Sequence, residues 1–291
     1  MRSSTLLIVC AAAAALSSCA APLNFEHPGG PRWSAYLAPG AAPQGPLSDA
    51  GPITTPAPAT KLRVVTFNIK MSREIPKAIR LLREDPALHP ADLVLLQEMD
   101  QDGVRQIAAA LGMGFVYYPA TVHPLTGRLF GNAILSRWPL SDDRKLVLPH
   151  LGRFGKTQRI AVAATMDVAG QPVRVYSVHI ATGVEVSPSG RRDQVRALLA
   201  DADGPFDRVI VGGDLNAKGL GKLFAEHGYA WPTEDIGWTS ALSATDHIFL
   251  RGVGVEPTLG VGKVADNLGA SDHLPVWAVV TLPGAPPVSM R

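Results

Sequence analysis

Leu62-Arg63-Val64-Val65-Thr66-Phe67-Asn68 and Asp92-Leu93-Val94-Leu95-Leu96-Gln97-Glu98 are two strand-like runs that each end in a polar side chain. The first is rich in β-branched residues and reads as a strand. The second holds a short apolar run typical of a buried strand. Between them Ile75, Ala78, Ile79 and Leu82 repeat at helical spacing, with Pro76 where a first helical turn tolerates it. Working outward, Val104, Ile107, Ala108 and Leu111 mark a second helix, with Asp102 as N-cap and Gly112 past its end. Further strands are expected at 132–135, 160–167, 173–180, 208–211, 247–250 and 275–281. A helix with Val195, Leu198 and Leu199 on one face precedes the strand at Arg208. This alternation predicts an α/β architecture with sheets covered by helices.

In the other direction the chain changes character. Arg2 followed by the apolar run Leu6–Leu16 reads as an export signal, too short to span a bilayer as a mature helix. It ends in Leu16-Ser17-Ser18-Cys19, which resembles the lipobox of bacterial lipoproteins and predicts a signal peptide over 1–19 with lipid attached at Cys19. The alternative is an ordinary secretory signal cut just after Cys19, which would leave a soluble periplasmic or secreted protein. Cys10 and Cys19 are the only cysteines, so no disulfide and no cysteine metal ligand is expected downstream. Residues 20–60 are rich in Pro, Ala and Gly and read as an extended spacer, whose Phe25, Trp33 and Tyr36 could pack on the domain surface. One folded domain is expected over 61–285, with a tail over 286–291. Of the 291 residues 46% are hydrophobic and 18% charged, which predicts a packed core rather than disorder. A formal charge of only +2 argues against a strongly electrostatic nucleic-acid binder.

Polar and ionisable residues recur at the ends of the strand-like runs. Asn68, Glu98 and His179 end three of them. Asp214 and Asn216 follow Val209-Ile210-Val211-Gly212-Gly213, while Asp246 and Asp272-His273 open the last two. Loops at strand ends are where rigid scaffolds display functional side chains. Each residue alone could be a cap, a turn former or a solvated group; their joint occurrence points to chemistry. Oxygen donors such as Glu98, Asn68 and Asp272 suit Mg²⁺, or Mn²⁺, shared with phosphate oxygens. Two histidines and several carboxylates supply acid–base groups. No zinc-type spacing and no Walker loop competes with phosphoryl-ester cleavage.

Seven motifs in order carry a resemblance: Thr66-Phe67-Asn68-Ile69, Leu95-Leu96-Gln97-Glu98, Gly131-Asn132-Ala133-Ile134-Leu135-Ser136, Ser177-Val178-His179-Ile180, Gly213-Asp214-Leu215-Asn216, Thr245-Asp246-His247-Ile248-Phe249 and Ser271-Asp272-His273-Leu274-Pro275. Together they resemble the signature of the endonuclease/exonuclease/phosphatase superfamily, which includes deoxyribonucleases, abasic-site endonucleases, sphingomyelinases and inositol-phosphate phosphatases. The resemblance implies an α/β (α+β) four-layer sandwich of two packed mixed β-sheets flanked by helices. It implies a phosphodiesterase acting by in-line attack of activated water, on a nuclease-like or phospholipid-like substrate. The alternatives are a phosphomonoesterase of the same fold and a non-catalytic surface lipoprotein.

By the same resemblance Glu98 would bind the divalent ion, aided by Asn68 and Asp272. His273, oriented by Asp246, would be base or electrostatic partner for the water; Asp214 and Asn216 would position nucleophile and phosphate. Which of Asp214 and His273 takes the proton stays open. His179 would bind the scissile phosphate or protonate the leaving group. Arg159, Asn132 and Tyr118 would contact substrate, and Arg191, Arg192 and Lys218 are further candidate phosphate binders. The expected partners are a phosphate ester (nucleic acid, phospholipid or small phosphoester) and a membrane reached through the lipid anchor. A monomer in the cell envelope is expected.

Overall fold

The computed structural model describes residues 23–35, 61–241 and 243–283. Strands β2 (Lys61–Asn68) and β3 (Leu93–Met99) run parallel, joined by helix α1 (Ile75–Glu84). Helix α2 (Gln101–Leu111) leads to β4 (Gly114–Val122) and β5 (Leu129–Ser136), and β5 pairs antiparallel with β3. The last strand, β13 (Val276–Thr281), lies antiparallel on the free side of β2. Short strands complete this eight-stranded sheet: β11 (Gly254–Val255) and β12 (Val261–Lys263) pair with β13, and β1 (Trp33–Ala35) pairs with β4.

The second sheet has five strands: β6 (Leu140–Val147), β7 (Ile160–Val168), β8 (Gln171–His179), β9 (Val209–Asp214) and β10 (Asp246–Arg251). Its strands follow the spatial order β10-β9-β8-β7-β6, with β8 and β9 parallel across helix α3 (Pro188–Ala202). A 3-10 turn at Lys218–Leu220 leads into α4 (Gly221–Glu226). Both sheets are mixed, as the resemblance implies.

Side-chain alternation builds the layers. Leu62 and Val64 of β2, Leu93 and Leu95 of β3, Val173 and Val175 of β8, and Ile248 and Leu250 of β10 point into one core between the sheets. Their neighbours point the other way. Val65, Phe67, Val94 and Leu96 meet α1 and α2 residues such as Ala78 and Ile107, whereas Tyr176, Val178, Val209 and Val211 meet Leu198, Leu199 and Phe224. A strand covered on both faces reads as a continuous apolar run, which is why the central strands were legible in the sequence. Each buried Leu, Ile, Val or Phe contributes roughly 1.5–3 kcal/mol.

Three features depart from the sequence reading. β6 escaped it because an edge strand carries charges, here Asp142, Asp143, Arg144 and Lys145. β4 contains Pro119, beside a register shift between Pro119 and Thr121. The cap of α2 is Asp100, which accepts the Gly103 N–H at 2.8 Å, and not Asp102.

Residues 23–35 belong to the folded unit rather than to a free spacer. Asn24 bridges Thr121, Phe25 N–H donates to Ala120 O, and the Trp33 ring lies 5.8 Å from that of Tyr117. The segment also crosses to the other sheet: Arg32 pairs with Asp143 of β6 at 2.6 Å, and the Lys145 ammonium donates to the carbonyls of Phe25 and Gly30. Burial pulls Lys145 down to about 8. The strap thus closes the seam where β4 and β6 would leave the sandwich open. The expected signal peptide with Cys19, Tyr36 and the rest of the spacer, and the tail over 286–291 lie outside the described residues. No helix of the described residues is long and apolar enough to cross a membrane.

Candidate active site

At one end of the sandwich the inward-facing rows change from apolar to polar. Continuing each row by two residues leads from Val64 to Thr66 and Asn68 on β2, from Val175 to Ser177 and His179 on β8, from Ile210 to Gly212 and Asp214 on β9, and from Ile248 back to Asp246 on β10. β8 and β9 are parallel and β10 is antiparallel to β9, so His179, Asp214 and Asp246 fall on one ladder row.

Glu98 reaches this site by a backbone device. Strict alternation from Leu93 and Leu95 would turn Gln97 and Met99 inward and Glu98 toward the helices. Instead a bulge between Leu96 and Met99, with Glu98 at φ 57°, adds one residue, so that Met99 packs with the helix layer. The Asn68 amide joins Glu98 to the second sheet, donating to Glu98 Oε1 at 3.2 Å and to Asp214 Oδ2 at 3.1 Å. Burial raises both carboxyls above their ordinary values.

A histidine–carboxylate pair forms the opposite wall. His273 Nδ1 lies 2.8 Å from Asp246 Oδ2 and Nε2 lies 3.9 Å from Asp214 Oδ2. Burial depresses the imidazole, but the charge and hydrogen bond of Asp246, then Asp214 and Asp272, outweigh it and raise His273 to about 10. Asp214 is pushed up to about 7 by burial and by Asp246, against the charge of His273 and the donors Asn216 N–H and Asn68. Thr239 Oγ1 and Thr245 Oγ1 donate to the same Asp246 oxygen at 2.7 and 2.9 Å.

His179 is a different histidine. It is buried, and burial, then the charges of Arg159 and His273, hold it well below its ordinary value, so the ring is neutral near pH 7. Arg159 Nη1 lies 3.1 and 3.0 Å from its Nδ1 and Nε2, Asn216 Nδ2 lies 3.2 Å from Nε2, and Phe130 packs against both the ring and the guanidinium. Glu185 holds Arg159 through a 2.7 Å bond to Nη2.

Of the residues named from sequence, Asn68, Glu98, Arg159, His179, Asp214, Asn216, Asp246 and His273 converge. Arg191 reaches the rim, with Nη1 3.4 Å from Asn216 O, while Lys218 pairs with exposed Asp235. Two residues fall elsewhere, and a third lies at the rim. Asn132 is buried beneath the site, where its amide donates to Ile160 O and Ser177 O and ties sheet to sheet. Tyr118 lies in the inter-sheet core with its hydroxyl on Asp143 Oδ2 at 2.7 Å, away from any substrate surface. Asp272 sits at the rim of the site, with its carboxylate 3.0 Å from Lys70 Nζ and its charge acting on Glu98 and His273. Sequence reading missed Glu185 and Thr239. Only Thr245, adjacent to Asp246, carried a local signal.

The donor set fits a small, hard divalent cation. Glu98 and Asp214 present carboxylate oxygens to one amide group, and their raised acidity constants mark buried negative charge that a cation would relieve. Asp214, Asp246 and His273 also have ligand atoms within 4.8 Å of one another. There Asp246 Oδ2 already accepts from His273 and two threonines, so Glu98, whose Oε1 accepts from Asn68 at 3.2 Å, is the better-disposed oxygen ligand.

Comparison with known proteins places this geometry. No curated protein matches the sequence. An endonuclease/exonuclease/phosphatase from Beutenbergia cavernae DSM 12333 shares 22% identity over 79% of this chain and 74% of that one, with a TM-score of 0.63. The human Nocturnin catalytic domain with bound sulfate shares 19% identity over 77% and 95%, with a TM-score of 0.63. D. rerio TDP2 complexed with single-strand DNA product shares 17% identity over 77% and 100%, with a TM-score of 0.58. These likenesses show the fold. The family model for the Endonuclease/Exonuclease/phosphatase family matches residues 65–273, which span every converging residue above, and the chain belongs to that family of phosphate-ester hydrolases.

Proposed function

We propose that this protein is an exported, divalent-metal-dependent phosphodiesterase, anchored through Cys19, in which Asp214 takes the proton of the attacking water and charged His273 stabilises the phosphoryl group. One observation carries the reading: Asp214 and His273 face each other at 3.9 Å with their acidity constants moved to about 7 and about 10. A carboxylate near 7 is poised to accept a proton at neutral pH, whereas an imidazole near 10 is already protonated and serves as a cation. The environment therefore supports Asp214, rather than His273, as the base.

The other side chains fill the remaining roles. Asn216 N–H donates to Asp214 Oδ1 at 2.7 Å, which fixes the carboxylate and leaves Oδ2 facing the cleft. Neutral His179 cannot deliver a proton as an acid, so it is read as a hydrogen-bonding contact for the scissile phosphate. Arg159, held by Glu185 beside it, adds positive charge that compensates the phosphate. Glu98, oriented by Asn68, would hold Mg²⁺ or Mn²⁺, whose charge when bound would polarise the phosphoryl oxygens, and Asp214 Oδ2 is kept for the proton.

The test is purified chain, retaining residues 23–35, with Mg²⁺, Mn²⁺ or EDTA against bis-p-nitrophenyl phosphate, plasmid DNA, sphingomyelin and simple phosphomonoesters. Metal-dependent cleavage of diesters in preference to monoesters is expected. Absence of hydrolysis with either metal would refute the reading. A fragment starting at Lys61 would lack the strap and is a poorer choice.

A further inference from the structure

Loops 122–128, 150–158 and 182–187 form a contiguous rim beside Arg159 and His179. Added bulk at Gly155 would meet Pro124 at 3.6 Å, Arg153 N–H donates to Glu185 O at 2.8 Å, and Asn24 clamps Lys156 O and Gln158 N–H at 2.7 and 3.0 Å. Leu125 stands 88% exposed on this rim, Phe154 and Val184 71%, Leu151 40%, and Leu23 59% at the start of the strap. These are five of the eight large apolar side chains exposed among the described residues. Apolar tips gathered on one face, and not scattered, mark an interaction surface. Arg153 and Lys156 stand exposed among them, and the only carboxylate on the three loops, Glu185, is engaged by Arg159.

The N-terminal chain length says what covers this face. Leu23 O accepts from Val122 N–H at 2.8 Å and Thr121 Oγ1 at 3.1 Å, so Leu23 is docked on the rim. Cys19 precedes it by four residues, which reach at most about 14 Å. A lipid on Cys19 would therefore hold this face, not the opposite end of the sandwich, at the bilayer. We propose that the rim bearing Leu125, Phe154 and Val184 is a docking surface for an anionic phospholipid bilayer, which sets the catalytic mouth against the membrane. Apolar tips would enter the acyl boundary while Arg153 and Lys156 meet anionic headgroups. A phosphodiester presented at the bilayer surface would then reach Arg159 and His179 without leaving it. This rests on the anchored-phosphodiesterase reading.

The experiment uses residues 20–291, which keep every described residue but carry neither the lipid-bearing Cys19 nor the apolar run Leu6–Leu16, and sedimentation with vesicles of phosphatidylcholine and phosphatidylglycerol. Sedimentation is expected, weakened by salt, and Leu125→Asp with Phe154→Asp should lower the partition coefficient at least about tenfold. Hydrolysis of soluble bis-p-nitrophenyl phosphate by the same preparations should be unchanged, which reports on the catalytic reading separately. An unacylated chain that ignores vesicles, or a double variant that binds them equally well, overturns the docking surface. A concentration-dependent dimer dispersed by the same substitutions, with no vesicle binding, would make the rim a contact between copies and overturn it too.

Discussion

Replacing Asp246 with Asn tests the charge logic of the site with little change of shape. The three donors to Asp246, from His273, Thr239 and Thr245, all meet Oδ2, and Oδ1 has no partner among the protein atoms. An asparagine can place its oxygen at the first position and its amide nitrogen at the second, so the fold should survive. What disappears is a negative charge beside His273. For charge centres about 4 Å apart at an effective dielectric constant of about 20, that charge is worth about 4 kcal/mol, or about three pH units. His273 should fall from about 10 to roughly 7. At pH 9 its protonated fraction would drop from about nine-tenths to about one-hundredth, whereas at pH 6 it would hardly change. The expected outcome is a loss in kcat/KM that grows roughly hundredfold between pH 6 and pH 9. The acid limb should move down as well, because Asp246 helps to raise Asp214. Stability follows the same sign: a raised imidazole stabilises the fold fully below its unfolded value of about 6.5 and loses that contribution as pH rises through about 10. The assay is kcat/KM on bis-p-nitrophenyl phosphate across pH, with NMR titration of the His273 ring. A basic limb that stays in place in the folded variant would refute the assignment of charged His273 as a working group.

Other substitutions probe single links. Glu98→Gln should raise the Mg²⁺ concentration for half-maximal rate at least about tenfold while circular dichroism stays unchanged; full activity of this variant at the Mg²⁺ concentration that half-saturates the wild type would remove Glu98 from metal binding. Gly213→Ala should cost at least about 3 kcal/mol in urea unfolding and displace Asp214, because its Cβ would lie 1.9 Å from the Val178 carbonyl oxygen; a variant of wild-type stability would count against the close β8–β9 approach. Thr239→Val should cost about 2–3 kcal/mol and lower kcat, since its hydroxyl donates to Asp246 Oδ2 and accepts the N–H groups of Thr245 and Asp246 at 3.0 and 3.1 Å. Cys19→Ser should shift the protein from the membrane fraction to the soluble exported fraction, and an intact mature N-terminus starting after Cys19 would end the lipobox reading.

The strands that carry the site are legible from local pattern. Alternation is a local property, so Leu62–Asn68, Val173–His179 and Val209–Asp214 each announce an apolar row that ends in a polar residue. The residues at those ends did converge, because a row buried between two sheets turns polar where its groups find hydrogen-bond partners in one another, in water or in a ligand. Other features exist only once the two sheets pack. The Glu98 bulge inverts the face that strict alternation predicts. Asn132 and Tyr118, polar residues in strands like the others, lie where both sheets cover them and became a strut and a core residue. Glu185 and Thr239 enter from loops whose sequences carry no periodic signal. The charge states belong wholly to the fold: His179 and His273 are the same residue type, yet burial beside Arg159 keeps one neutral and a carboxylate at 2.8 Å keeps the other charged. Desolvation and Coulomb energy act through space, and the separations that set them exist only once the two sheets have packed.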